Sequence, residues 1–197
     1  GYGRKREMLT ARTGVREQSS RRAPWFPAAR ERPLPPGDSV VIVGGGVAGA
    51  SLADAAAAAS LQAIIIDPMG LAAGASGNPA GLIMPRLDLG ESPASRFFTA
   101  AYLSTLRAIA RLERETGAHF FNACGVHVPS LTPEDDQWAD KIIAARLLPP
   151  DFIRRRDGGL FFPQGGVIDP PSFVRALARP ARVIEAKAVG LTRSDDG

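Results

Sequence analysis

Apolar positions along this chain follow two periods in succession, and the order of the two predicts its architecture. Ser39-Val40-Val41-Ile42-Val43 is a continuous β-branched apolar run, an alanine-rich segment spans Ala50 to Ser60, and Ala63-Ile64-Ile65-Ile66 is a second run that ends on Asp67. Short unbroken apolar runs separated by a helix-length segment read as buried parallel strands joined by a crossover helix. Past residue 90 the period lengthens. Ser92 and Pro93 open a helix in which Phe98, Tyr102, Leu106, Ile109 and Leu112 recur at helical spacing until Gly117 stops it. That aromatic stripe reads as core. Phe120 to Val128 predicts one or two short strands, and Thr132-Pro133-Glu134-Asp135 opens a further helix that ends before Pro149-Pro150. The run from Gly158 to Gly166 reads as strand and turn, Asp169-Pro170-Pro171 caps a short helix through Leu177, and Arg182 to Thr192 predicts paired short strands broken at Gly190. Antiparallel pieces and helices inserted after a βαβ start suit a substrate-binding subdomain.

Composition adds bounds to this picture. The 197 residues are 45% hydrophobic and 22% charged, as expected of a globular chain holding one domain and part of another. No apolar run approaches the ~20 residues that span a bilayer, and no signal-peptide core precedes the first strand, so a cytoplasmic protein without membrane contact is expected. The single cysteine, Cys124, rules out an internal disulfide and a cysteine-based metal cluster, and reads as a buried small hydrophobe. His119 and His127 lack a carboxylate pattern around them and read as structural, so no metal is expected.

Charge is unevenly spread. Residues 1–36 hold nine Lys or Arg against three acids, a net +6 that leaves −2 for the rest of the chain. This leader also carries Pro24, Pro27, Pro33, Pro35 and Pro36 without apolar periodicity, and reads as a linker. Its charge suits either attraction to a phosphate backbone or a solvated tether. The start at Gly1 without Met reads as a fragment of something longer.

The candidate chemistry sits between the first strand and its helix, at Gly44-Gly45-Gly46-Val47-Ala48-Gly49. Gly44 allows a sharp turn, Gly46 lets a pyrophosphate approach the backbone, and Gly49 lets the helix pack close to the sheet. The helix N-terminus then points at negative charge. Asp67, about 20 residues on, is placed to accept hydrogen bonds from an adenosine ribose and to repel a 2′-phosphate. The residues make this a dinucleotide-binding βαβ unit and leave FAD and NAD both open. Behind it, Gly70 to Gly81 has almost no side chain to bury, which suits packing against a large flat ligand. Ser76 and Asn78 are positioned to hydrogen-bond such a ligand, with Leu82-Ile83-Met84 leading under its ring as the chain re-enters the sheet.

Taken together, Val43-Gly44-Gly45-Gly46, Gly74-Ala75-Ser76-Gly77-Asn78 and Phe162-Pro163-Gln164-Gly165-Gly166 with Asp169-Pro170-Pro171 resemble the FAD-dependent oxidase module of the bacterial bifunctional enzymes that make 5-methylaminomethyl-2-thiouridine in tRNA. These oxidases belong to the D-amino-acid-oxidase-like superfamily. Gly1 to Met8 is similar to the closing strand of their methyltransferase module, and Ala23-Pro24-Trp25-Phe26 to the connector. The resemblance implies an α/β fold, a Rossmann-like FAD-binding domain of the glutathione-reductase and D-amino-acid-oxidase type, with an inserted α+β substrate subdomain and truncated. It divides the chain into a last methyltransferase strand at 1–12, a basic linker at 13–37, a βαβ and flavin loop at 38–90, a partial substrate subdomain at 91–180 and a return to the FAD-binding domain at 181–197.

What the resemblance implies for function is FAD-dependent oxidation of the carboxymethylaminomethyl group on the wobble uridine of tRNA. Hydrolysis of the imine leaves aminomethyluridine and glyoxylate, and the methyltransferase module methylates the amine with S-adenosylmethionine. Position by position it assigns Gly44, Gly46, Val47 and Gly49 to the pyrophosphate, Asp67 to the ribose, and Ser76, Asn78, Ala80, Gly81 and Leu82 to the loop along phosphates and flavin. Ala188 stands where relatives often have a valine whose backbone meets the adenine. An arginine is expected for the substrate carboxylate because its planar fork matches two oxygens, and Arg86 is the nearest to the loop. The segments that cover the flavin in relatives are missing, so the fragment alone is expected to be inactive. Two other readings share the βαβ unit: a free-standing amine or amino-acid oxidase, and a non-catalytic nucleotide-binding or RNA-docking fragment.

Overall fold

A parallel sheet of strands β1 (Ser39–Val43), β2 (Gln62–Ile66) and β9 (Arg182–Ile184), in the order β1-β2-β9, carries the glycine turn at its carboxyl edge. The computed structural model describes residues 34–89, 92–190 and 192, of which those from Pro36 onward form one unit. The expected methyltransferase strand and nearly all of the basic linker lie outside the described residues. β1 and β2 pair in register from Ser39 opposite Gln62 to Val43 opposite Ile66, as the two apolar runs predict. Between them runs helix α1 (Val47–Ala58), whose buried residues are Gly49, Ala50, Ala53 and Ala56. Such small side chains let the helix axis come close to Ile42, Ala63 and Ile65 of the sheet, all buried in the same core. The opposite sheet face is uncovered among the described residues, with Val41 61% and Val43 64% exposed.

The remaining elements make two antiparallel sheets. β3 (Gly81–Ile83) and β4 (Phe121–Asn122) flank β8 (Gly166–Ile168), and β5 (Val126–Pro129) and β6 (Arg154–Arg156) flank β7 (Gly159–Phe162). Two expectations are corrected by this topology. Leu82 and Ile83 do not re-enter the parallel sheet but pair with β8, which leaves Leu82 60% exposed on an edge strand. The run from Arg182 supplies one strand among the described residues, β9, because its apolar residues pair in parallel with β2 rather than folding back on themselves.

Helix α2 (Pro93–Thr116) runs along two hydrophobic clusters. Its Ile109 and Leu112 join Ile42, Ile65, Phe120, Phe173 and Val174 in the first; Tyr102 joins Ile142, Leu160 and Phe162 in the second. Leu106, and Ile83 of β3, pack against both. The Tyr102 hydroxyl is buried without a hydrogen-bond partner among the described residues, and burial pushes its pKa up to about 12. Ser92 caps the helix by accepting from the Ser95 N–H, and Gly117 ends it in the left-handed conformation at φ +68°, as the sequence predicts. Farther along, Arg111 reaches α1 and donates to both oxygens of Asp54 at 2.9 and 2.7 Å. Glu113 accepts from the Phe120 and Phe121 N–H groups at 2.9 and 3.0 Å, fixing the entry into β4.

Helix α3 (Pro133–Ala144) starts with a capping box between Thr132 and Asp135, and α4 (Pro170–Ala178) with Asp169 accepting from the Ser172 N–H. Both carboxylates sit below the ordinary range: the Thr132 hydroxyl and two backbone N–H groups hold Asp135 down, and the Ser172 hydroxyl and N–H hold Asp169 down. α4 lies within the 91–180 range, yet it packs along α1, and Val174 and Leu177 close the first cluster. Cys124, expected to be buried, is exposed, because it falls in the turn between β4 and β5 rather than on a strand face.

Two stability changes follow. A Cβ at residue 49 would fall on the Gly44 carbonyl oxygen and come within 3.2 Å of Ile42 Cγ2, so Gly49→Ala forces α1 away from β1. It should lower the unfolding free energy by about 1–3 kcal/mol in urea titration, the scale of an overpacked core. Arg111→Met removes the Nη2 tie to Asp54 between α1 and α2 and, with the arginine 37% exposed, should cost roughly 1 kcal/mol.

Candidate nucleotide-binding site

The glycine turn is held from three directions. Gly44 adopts φ +110°, a conformation only glycine takes without strain, and its N–H donates to the Ile66 carbonyl at 2.9 Å. The Gly45 N–H donates to Asp67 Oδ2 at 2.8 Å, and the Gly45 carbonyl accepts from the Ala72 N–H at 2.9 Å. A Cβ on Gly45 would come within 2.6 Å of the Gly70 carbonyl oxygen, so β1's turn and the loop after β2 touch backbone to backbone. Gly46 is the N-cap of α1 in extended conformation and has no side chain of its own with which to cap. The cap comes instead from 29 residues away: Ser76 Oγ accepts from the Val47 N–H at 2.9 Å.

Asp67 is half-buried and both its oxygens are engaged, Oδ1 accepting from the Met69 N–H at 2.9 Å. These backbone donors, Gly45 first and Met69 second, hold its carboxyl below the ordinary range, so it is ionised at neutral pH. Each oxygen keeps lone pairs for a further donor such as a ribose hydroxyl. Behind it the Asp67 N–H donates to the Ile184 carbonyl of β9, and Glu185 Oε1 would lie 3.3 Å from a Cβ on Gly70.

A dinucleotide fits this arrangement. Ala48 and Gly49 lie in the first turn of α1, where N–H groups lack intrahelical acceptors, and the helix dipole adds positive potential there. A Cβ on Gly44 or Gly74 would meet nothing within 4 Å among the described residues, so both backbones border space left open by them. The structure thus brings together Gly44, Gly46, Val47, Gly49, Asp67 and Ser76. Asn78 and Ala80 follow in an exposed stretch after the short 3-10 turn Ala75–Gly77, and Gly81 and Leu82 start β3. Ala188 is exposed beyond β9, without a hydrogen bond to the turn among the described residues. Gly45, Gly70 and Ala72, which complete the turn, were not among the residues singled out from sequence. Their only signal is the third glycine of Gly44-Gly45-Gly46 and the small residues after Asp67.

Arg86 lies apart, past β3. Its guanidinium stacks 4.8 Å from the Phe98 ring centroid and pairs with Asp88 at 3.6 Å, and it is 66% exposed. It is the one charged residue among those lining a cleft of about 370 Å³ otherwise walled by apolar groups, Met84, Leu87, Val128, Trp138 and Phe162 among them. Among the described residues no cluster of three or more His, Cys, Asp or Glu side chains is arranged to hold a metal ion, and no helix is long and apolar enough to cross a membrane.

The likeness to known proteins agrees with this geometry. Over its whole length the chain is 33% identical to the tRNA 5-methylaminomethyl-2-thiouridine biosynthesis bifunctional protein MnmC of Pseudomonas paraeruginosa, covering 31% of that protein. It is 35% identical, again over all of its length and 31% of the relative, to the protein of the same name from Chromobacterium violaceum. The chain therefore spans about a third of the length of these relatives. In structure it is similar to L-amino acid deaminase from Proteus vulgaris, with TM-score 0.62 and 19% identity over 86% of this chain and 45% of that one. It is also similar to glycine oxidase from Bacillus cereus, with TM-score 0.58 and 18% identity over 81% of this chain and 50% of that one. At such identity these two structures establish the fold alone. The family model described as FAD dependent oxidoreductase matches residues 39–196, from the first residue of β1 onward, and the chain belongs to that family.

Proposed function

We propose that this chain is part of the FAD-dependent oxidase of a tRNA-modifying enzyme, acting on the carboxymethylaminomethyl group of the wobble uridine. The observation that carries the reading is the extent of the likeness. The family match begins at residue 39, whereas the likeness to the tRNA biosynthesis proteins also takes in the residues before it. A free-standing amine oxidase accounts for the βαβ unit and gives no reason for the leader. The methyltransferase that uses S-adenosylmethionine belongs, in this reading, to the part of the whole protein outside this chain.

In this reading Gly44, Gly46, Val47 and Gly49 hold the pyrophosphate of FAD, and Asp67 the adenosine ribose. Ser76, Asn78, Ala80, Gly81 and Leu82 run along the phosphates and flavin, and Ala188 lies toward the adenine. When bound there, FAD would supply the hydride-accepting chemistry for oxidising the substrate amine, whose hydrolysis products are the aminomethyl group and glyoxylate. The protein's own part is placement. Ser76 caps the Val47 N–H and so fixes the start of α1 beside the pyrophosphate, and Asp67 keeps the turn closed through Gly45 as it meets the ribose. Arg86, alone charged on an apolar cleft, is the group assigned to the substrate carboxylate.

Asp67→Asn keeps the acceptor for Gly45 but loses the charge, and should weaken FAD binding on the order of fivefold by fluorescence titration. The pH dependence has a definite sign. A carboxyl held below its unfolded value contributes fully above the ordinary carboxylate range, and its contribution is lost as pH falls through the folded value. FAD affinity of the native protein should therefore drop on acidification only below that range, and the Asn variant should lack that step. The reaction itself is checked by anaerobic absorption spectroscopy of the flavin-loaded whole protein. Bleaching with tRNA carrying the carboxymethylaminomethyl group, and none with glycine or sarcosine, is the expected result; bleaching only with the small amines assigns the protein to the free oxidases.

A further inference from the structure

The sheet β5-β7-β6 has two unlike faces. On one, Leu160 and Phe162 are buried in the second hydrophobic cluster beneath α3. On the other, Phe161 is only half-buried, as strand alternation requires. The three consecutive arginines of β6 divide in the same way. Arg155 turns to α3, pairing with Asp136 and, at 3.1 Å, with Asp140. Arg154 and Arg156 lie with Phe161, their guanidinium carbons 5.2 and 4.7 Å from its ring centroid. Phe161 is directly opposite both Arg154 and His127 in the register, so one cross-strand row reads His127, Phe161, Arg154. The ring rests on Gly125, at φ +79°, where a Cβ would come within 2.5 Å of Phe161 Cζ.

This cluster is overcharged for a purely structural patch. Arg155 accounts for the contact with α3, while Arg154 has no acidic partner among the described residues and Arg156 has only the exposed Asp157, at 3.1 Å. Two cations gathered about one ring repel each other, and an anion that bridges them would relieve the repulsion. Guanidinium forks match phosphate oxygens, and their planes, like an aromatic face, stack on bases. A duplex hides its bases in the stack, whereas an unpaired loop presents both the phosphates and the flat faces that this surface can grip.

We infer that the exposed face of β5-β7-β6 docks a single-stranded RNA loop, with Arg154 and Arg156 on its phosphates and the plane of Phe161 and its guanidiniums under an unpaired base. The inference rests on the tRNA reading above and supplies its docking surface. The test is binding of a fluorescent RNA hairpin with an unpaired loop to the full chain across a salt series. Replacing both Arg154 and Arg156 by Ala should weaken binding tenfold or more and reduce the salt slope by about 1.4, at ~0.7 for each single-strand phosphate no longer neutralised. Replacing both by Lys keeps the charge without the planes, and should weaken binding while leaving the slope. Arg114→Ala, an exposed arginine of α2, should change neither. FAD titration on the same variants should match the parent chain. If the chain binds the hairpin and the double Ala variant retains both affinity and slope, this surface is overturned and the tRNA reading stands. A blunt RNA duplex that competes as well as the hairpin overturns the single-stranded docking mode. Failure of the parent chain to bind any RNA overturns the docking and the tRNA reading together, leaving FAD binding untouched.

Discussion

The close backbone contact between the glycine turn and the loop after β2 is the constraint on which the nucleotide end of this structure depends. At Gly45 the chain touches Gly70 at a distance that admits no Cβ, and at Gly49 the helix touches the carbonyl of Gly44. Backbones that close cannot be separated by side chains, so the polar groups between them have to satisfy each other. Asp67 does this for Gly45 and Met69, Ala72 for the Gly45 carbonyl, and Ser76 for Val47. What is left without an intrahelical acceptor is the pair of N–H groups of Ala48 and Gly49 in the first turn of α1, and that remainder is where the proposed reading puts the anion. In the proposed reading, the same contacts that close the fold define where the ligand's charge goes.

The rest of the molecule is arranged about α2. Its length lets one amphipathic stripe serve two clusters, the first under the parallel sheet and the second under β5-β7-β6. Polar ties hold it to its neighbours: Arg111 to Asp54 of α1, and Glu113 to the start of β4. Burial of single Ile or Leu side chains, at roughly 1.5–3 kcal/mol each, outweighs these partly exposed pairs. The pairs therefore orient the elements more than they stabilise them.

Arginine plays three different parts in this chain, separated by surroundings alone. Arg111 is a clamp because both oxygens of Asp54 accept from its Nη2 while Glu115 accepts from its Nη1. Arg155 is a strut because α3 presents two aspartates to it. Arg154, one residue away, lies over the Phe161 ring with no acidic partner among the described residues, and in the proposed docking the same side chain takes an anion from outside.

The nucleotide-binding half was legible in the sequence because its causes are local. Consecutive β-branched residues make strands, glycine at 44 is required by a positive φ, and Ser92, Thr132 and Asp169 cap helices within three residues of themselves. Pairing over distance was decided only by the tertiary structure. Nothing near Leu82 says that it will pair with Val167 rather than re-enter the parallel sheet, and nothing near Arg182 says that β9 will lie along β2. Nothing near Ser76 says that it will cap a helix that starts 29 residues earlier. The division of Arg154, Arg155 and Arg156 between two faces follows from strand alternation once β6 is known to be a strand, and three arginines in a row carry no period from which to know it. Local chemistry is written in adjacent residues; which surfaces meet is a property of the packed chain.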